Sequence, residues 1–133
     1  MPLLSAWLIR AALTYLLLGF TLGGLLLWNK GLPIHLTLWR LLPAHMEFLL
    51  LGWTVQLVMG MAYWILPRFH TKRPLTGLVW LSFGLLNSGI WLVAVGGFIG
   101  SAEMTQLIGR ALEASAVIAF ASHAWLRVKS TSI

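Results

Sequence analysis

The residues best suited to chemistry lie on one segment: Arg40, then Pro43-Ala44-His45-Met46-Glu47, continuing through Gly52, Gln56, Gly60 and Tyr63 to Leu66-Pro67-Arg68. At 100° per residue, His45, Gly52, Gln56 and Tyr63 fall within about 40° of one another on a helix, with Gly60 at the margin. An imidazole can ligate a metal or carry a proton. Gly52 sits two turns below it, roughly 10 Å along the axis. A flat macrocycle ligated by His45 could lie on that bare backbone, with Gln56 further along the same groove. A second reading needs no ligand: His45 hydrogen-bonds a neighbouring helix, and the glycines let backbones approach. Both readings place the stripe inward, because unpaired polar groups facing lipid are costly.

A second constellation, Gln106, Arg110 and Glu113, follows i, i+4, i+7 spacing. Arg110 and Glu113 can pair across one turn. Arg110, with Arg40, could neutralise an anionic group such as a haem propionate; equally, the Arg110–Glu113 pair could fix helix packing. His123 belongs to the opposite end of the molecule from His45, separated by most of the roughly 30 Å of a hydrocarbon core, so the two cannot share one metal. His35 lies in a loop that could fold toward His45, and His70 adds polarity to a basic loop. Asn87, Ser88, Thr14 and Thr21 are expected to form interhelical hydrogen bonds. There is no Ser/His/Asp grouping, no phosphate-cradling glycine loop and no pair of carboxylates at catalytic spacing, so the chain is not expected to be catalytic by itself. With no cysteine, thiolate and disulfide chemistry are excluded.

The elements that must position these residues follow from composition. Of 133 residues, 59% are hydrophobic and 9% charged, with mean hydropathy +0.89, outside the range of soluble domains. A span needs about 20 apolar residues, and the expectation is an all-α integral membrane four-helix bundle in one domain, 1–133. The spans are expected at about 4–28, 41–66, 75–99 and 107–126. Asn29-Lys30-Gly31 and Pro33 close the first, which is too long for a signal-peptide core. The basic loop 68–74 follows the second, and Gly100-Ser101-Ala102-Glu103 makes a tight connection into the fourth.

Alternating topology puts Arg10, Arg68, Lys72, Arg73, Arg127 and Lys129 on one face, which the positive-inside rule makes cytoplasmic together with both termini. The expected location is a bacterial-type inner (plasma) membrane, with the lipid bilayer as first partner and a homo-oligomer or larger membrane complex as assembly. All three carboxylates, Glu47, Glu103 and Glu113, fall toward the outer side. Trp7, Trp28, Trp39, Trp64 and Trp125 suit interfacial belts, whereas Trp53, Trp80 and Trp91 lie deeper. The net charge of +6 is explained by topology; the basic residues form no aromatic-interleaved face for nucleic acid.

The run from Arg40 to Arg68 resembles the second transmembrane helix of the catalytic subunit of haem-copper oxidases, above all the C-family cytochrome oxidases and nitric oxide reductases. His45, the approach Arg40-Leu41-Leu42-Pro43-Ala44 and the ending Tyr63-Trp64-Ile65-Leu66-Pro67-Arg68 carry the likeness. It covers about one helix with force and the first two or three loosely. It implies that His45 is an axial ligand to a b-type haem in a membrane subunit for electron transfer or gas sensing. A sixth ligand would be His35, the same histidine of a second protomer, or a residue of another subunit; five-coordinate iron is the remaining option. The copper-binding histidines and proton-channel carboxylates of that family have no counterparts, so oxygen or nitric oxide reduction is not implied. The alternative is a cofactor-free structural or assembly subunit of a larger respiratory complex.

Overall fold

In the computed structural model, which describes residues 1–67, 75–96, 98, 102–125 and 127–128, the chain is helical with no strand among the described residues. Four helices follow one another: α1 (Leu3–Gly31), α2 (Leu36–Ile65), α3 (Thr76–Gly96) and α4 (Ala102–Trp125). The first three are long and apolar enough to cross a membrane. α4, with 24 residues, is also long enough at 1.5 Å per residue, about 36 Å; Glu103, Arg110 and Glu113 make it less apolar.

Two boundaries differ from expectation for local reasons. α2 starts five residues early, because Leu36–Leu41 winds as a 3₁₀ turn capped by His35, whose Nδ1 accepts from the Thr37 N–H at 3.2 Å. Pro43 then sits in the first turn of the α-helical part, where its missing N–H is no loss. α4 also starts early: Ala102 and Glu103 belong to the helix rather than to a connection, and a carboxylate in the first turn complements the helix dipole. The basic loop 68–74, with His70, and the expected connection at 100–101 lie outside the described residues.

Within α2, Phe48–Val55 is π-helical, and the Gln56 N–H reaches the Leu51 carbonyl five residues back. A regular 3.6-residue pattern gives no warning of this widened stretch. It passes Tyr15 of α1, whose ring packs where a Cβ on Gly52 would stand.

The helices form two intimate pairs, α1 with α2 and α3 with α4, joined mainly through α2 and α3. Their shared core holds Tyr15, Ala44, Phe48, Met59, Leu86, Ile90, Ala94 and Ala116, with a second cluster of Leu4, Leu8, Tyr63 and Val79. The α3–α4 crossing depends on Gly89 and Gly109. A Cβ on Gly89 would come within 2.7 Å of the Gly109 carbonyl, so only hydrogen fits there. Large apolar side chains, among them Leu17, Phe20, Val58 and Ile118, cover the outside.

At the far end, Arg127 is fully buried. Pro67 has no N–H, so the Tyr63 carbonyl lacks its normal i+4 donor. Both terminal nitrogens of Arg127 reach that carbonyl at 3.3 Å, its Nε donates to the Pro67 carbonyl at 2.9 Å, and Nη2 also donates to Leu66. The guanidinium thus caps α2 with a cation at the negative end of its dipole.

Candidate functional site

The polar stripe of α2 does turn inward, and what it meets is α1. His45 Nδ1 hydrogen-bonds the Gly19 carbonyl at 2.8 Å, and the edge of the ring occupies the space left by Gly23. Gly52 is covered by Tyr15, and Gly60 by Leu8 and Ile9. Gln56, fully buried, donates to the Leu8 carbonyl at 3.4 Å and accepts from Asn87 Nδ2 at 3.2 Å. Asn87 in turn accepts from the Tyr15 hydroxyl at 2.8 Å and donates to the Phe83 carbonyl at 2.7 Å. The Leu8–Gln56–Asn87–Tyr15 chain ties three helices together without a charge.

Asn87 is the interhelical partner that was expected. Thr14 and Thr21 instead bond carbonyls four residues back on α1, at 3.0 and 2.8 Å, and Ser88 is exposed. A hydroxyl that finds its own helix's carbonyl needs no neighbour. Two serine hydroxyls do bond across helices, Ser5 donating to Gly60 at 2.6 Å and Ser82 donating to Ala116 at 2.7 Å. Neither is distinguished in sequence from any other serine in a helix.

The charged residues gather elsewhere. Arg110 and Glu113 pair at 3.0 Å across one turn of α4, and the same Arg110 nitrogen reaches Glu47 Oε2 of α2 at 2.7 Å. Both carboxylates are buried, Glu47 3% and Glu113 5% exposed, while the arginine side chain remains 56% exposed. Arg110 and Glu47 line an apolar groove of about 380 Å³ with Leu42, Pro43, Met46, Leu50 and Leu51. Burial concentrates the interaction: a guanidinium and carboxylate in low dielectric attract far more strongly than on a surface, and each is costly if stripped of its partner. Sequence reasoning paired Arg110 with Glu113 but missed Glu47, which lies 63 positions before Arg110 and off the His45 stripe. Its isolation on a leucine-rich helix was the available signal.

Tested as a haem pocket, His45, Gly52, Gln56, Arg40 and Arg110 do not line one slot. Gly52 has a tyrosine on it, Gln56 is bound to Leu8 and Asn87, Arg110 is held by two carboxylates, and Arg40 is exposed in the 3₁₀ turn. His35 is engaged as the cap of that turn. His123 is buried against Tyr63, Phe120 and Arg127 at the opposite end of α2. No group of three or more metal-ligating side chains forms among the described residues. Comparison with family models, curated proteins and solved structures found no match.

Proposed function

We propose that the chain is an integral membrane protein, crossing the bilayer four times with both ends cytoplasmic, and serving as a cofactor-free structural or assembly subunit of a larger respiratory membrane complex. The length and apolarity of α1, α2 and α3 support insertion. The internal pairing of Arg110 with Glu47 and Glu113 lowers the cost of α4 accompanying them. The arginine and lysine distribution supports the orientation, and the likeness of Arg40–Arg68 to an oxidase helix supports the respiratory setting.

One observation carries the scaffold role: the polar stripe of α2 is used up on neighbouring helices, Gly52 by a tyrosine ring and Gln56 by Leu8 and Asn87. Such a bundle holds its shape and leaves no polar groove open for a substrate along that stripe. Purification from membranes in mild detergent should give a protein without a Soret band, oxidised or dithionite-reduced, that co-elutes with larger partners. Recovery as a stable free homo-oligomer would overturn this role.

One feature favours a second reading, a haem-b-binding membrane subunit for electron transfer or gas sensing. With Nδ1–H donated to the Gly19 carbonyl, the His45 ring is oriented and its Nε2 lone pair is available, the arrangement that outer-shell partners give a ligating imidazole. A Soret band that disappears in His45→Ala would establish this reading in place of the first.

A further inference from the structure

The Glu47–Arg110–Glu113 group is short of one positive charge. Two carboxylates and one guanidinium sum to −1, and both carboxylates are more than nine-tenths buried. Each spends its Oε2 on the same Arg110 nitrogen, at 2.7 and 3.0 Å. Each also has an Oε1 that is buried and has no hydrogen-bond partner. The two carboxyl groups converge on that one nitrogen, although they come from different helices and are brought together where α4 crosses α3 at Gly89, whose missing side chain makes room for Glu113.

Two facing carboxylates with unsatisfied oxygens repel, and a net charge in a water-poor site is costly. Among the described residues, the surroundings offer no compensation. α3 carries no titratable residue over Thr76–Gly96, and the groove wall from α2 is Leu42, Pro43, Met46, Leu50 and Leu51. On α1, Arg10 and Lys30 lie toward the helix ends, while Tyr15 is committed to Asn87. Among the described residues, Arg110 and Glu113 of α4 and Glu47 of α2 meet at the site, whereas His45 of α2 turns to the Gly19 carbonyl and Arg40 is exposed in the 3₁₀ turn. One further positive charge would make it neutral and would give the idle oxygens a donor.

We propose that Glu47 and Glu113 bind one proton between them, so that with Arg110 they form a charge-neutral, protonatable site in the bundle. The proton is held as a carboxylic O–H donated to the opposite carboxylate, and it belongs to the pair rather than to either residue. The half-exposed Arg110 and the open groove give this site a lateral route to the outside. This inference does not depend on the scaffold or the haem reading.

The test is infrared spectroscopy of the full chain in lipid at neutral pH, in H₂O and D₂O, reading the carbonyl stretch of protonated carboxyl groups. The native protein should show one such band, shifted in D₂O and lost in a single-proton step as pH is raised. Glu47→Gln and Glu113→Gln should each abolish it while leaving thermal stability close to native, because a glutamine amide replaces the protonated partner in shape and charge. The double variant should melt well below either single one, since it strands the guanidinium. Glu103→Gln should leave the band unchanged. Absence of the band in the native protein, its persistence in both single variants, or its replacement by a sodium-dependent stability would each overturn the proposal. Should a single variant fail to fold, the D₂O-sensitive band and its one-proton step in the native chain still decide the matter.

Discussion

The α1–α2 seam and the α2–α4 contact both bury polar side chains, yet they solve the problem in different ways. Along α1–α2 the groups include no carboxylate or guanidinium, and the partners come from several directions: Gln56 from Leu8 and Asn87, Tyr15 from Asn87, His45 from Gly19. At α2–α4 two carboxyl groups share one guanidinium nitrogen and leave two oxygens idle. A well-partnered seam fixes the register of helices at modest gain. A charged, under-partnered one is where protonation or a ligand can still change the energy. The molecule therefore separates a region that holds shape from a region that retains chemistry.

Substitutions can sharpen or break that contrast, read as unfolding free energy in detergent or lipid. The largest effect belongs to the charged contact. Arg110→Ala should cost about 2–4 kcal/mol, somewhat less than stripping a fully buried pair because the guanidinium is half-exposed. A loss below about 0.5 kcal/mol would place this contact with surface ion pairs. Next, Gly52→Ala drives a methyl to 2.5 Å from the Tyr15 ring and should cost about 1–3 kcal/mol by overpacking. Stabilisation there would mean that Tyr15 does not cover Gly52. Gln56→Leu removes both of its hydrogen bonds, with an expected loss of about 1–2 kcal/mol; no change would deny the seam its role in register. Smallest is Gly84→Ala, where nothing lies within 4 Å of the new carbon. Helix propensity alone should make it neutral or stabilising by up to about 1 kcal/mol.

How far the site could be read from sequence varies residue by residue. The His45–Gly52–Gln56 stripe was visible because helical periodicity selects a face, and that face is indeed buried. Its partner was not visible: Tyr15 on Gly52 and Gly19 on His45 are set by how α1 lies against α2, which no local pattern encodes. The π-helical Phe48–Val55 also escaped, since the leucine-rich run scans equally well as α-helix. Arg110–Glu113 was legible as a one-turn pair, whereas Glu47 joined Arg110 across 63 positions. The burial of Arg127 was not legible in sequence. The positive-inside rule counts charges by position in the chain, but the orphaned carbonyl created by Pro67 drew this one into the structure.

Composition and period, by themselves, determined that the chain is helical, that its outer surfaces are apolar, and roughly where helices end; of the four spans expected, three helices are both long and apolar enough to cross a membrane. These are sums over neighbouring residues, so nearest-neighbour chemistry is enough. Only the tertiary structure decided which polar groups meet: a glutamine with an asparagine, an arginine with a proline-freed carbonyl, and two carboxylates with one guanidinium. Hydrogen bonds and ion pairs act over about 3 Å, and whether two groups 63 positions apart, such as Glu47 and Arg110, come that close depends on how entire helices pack.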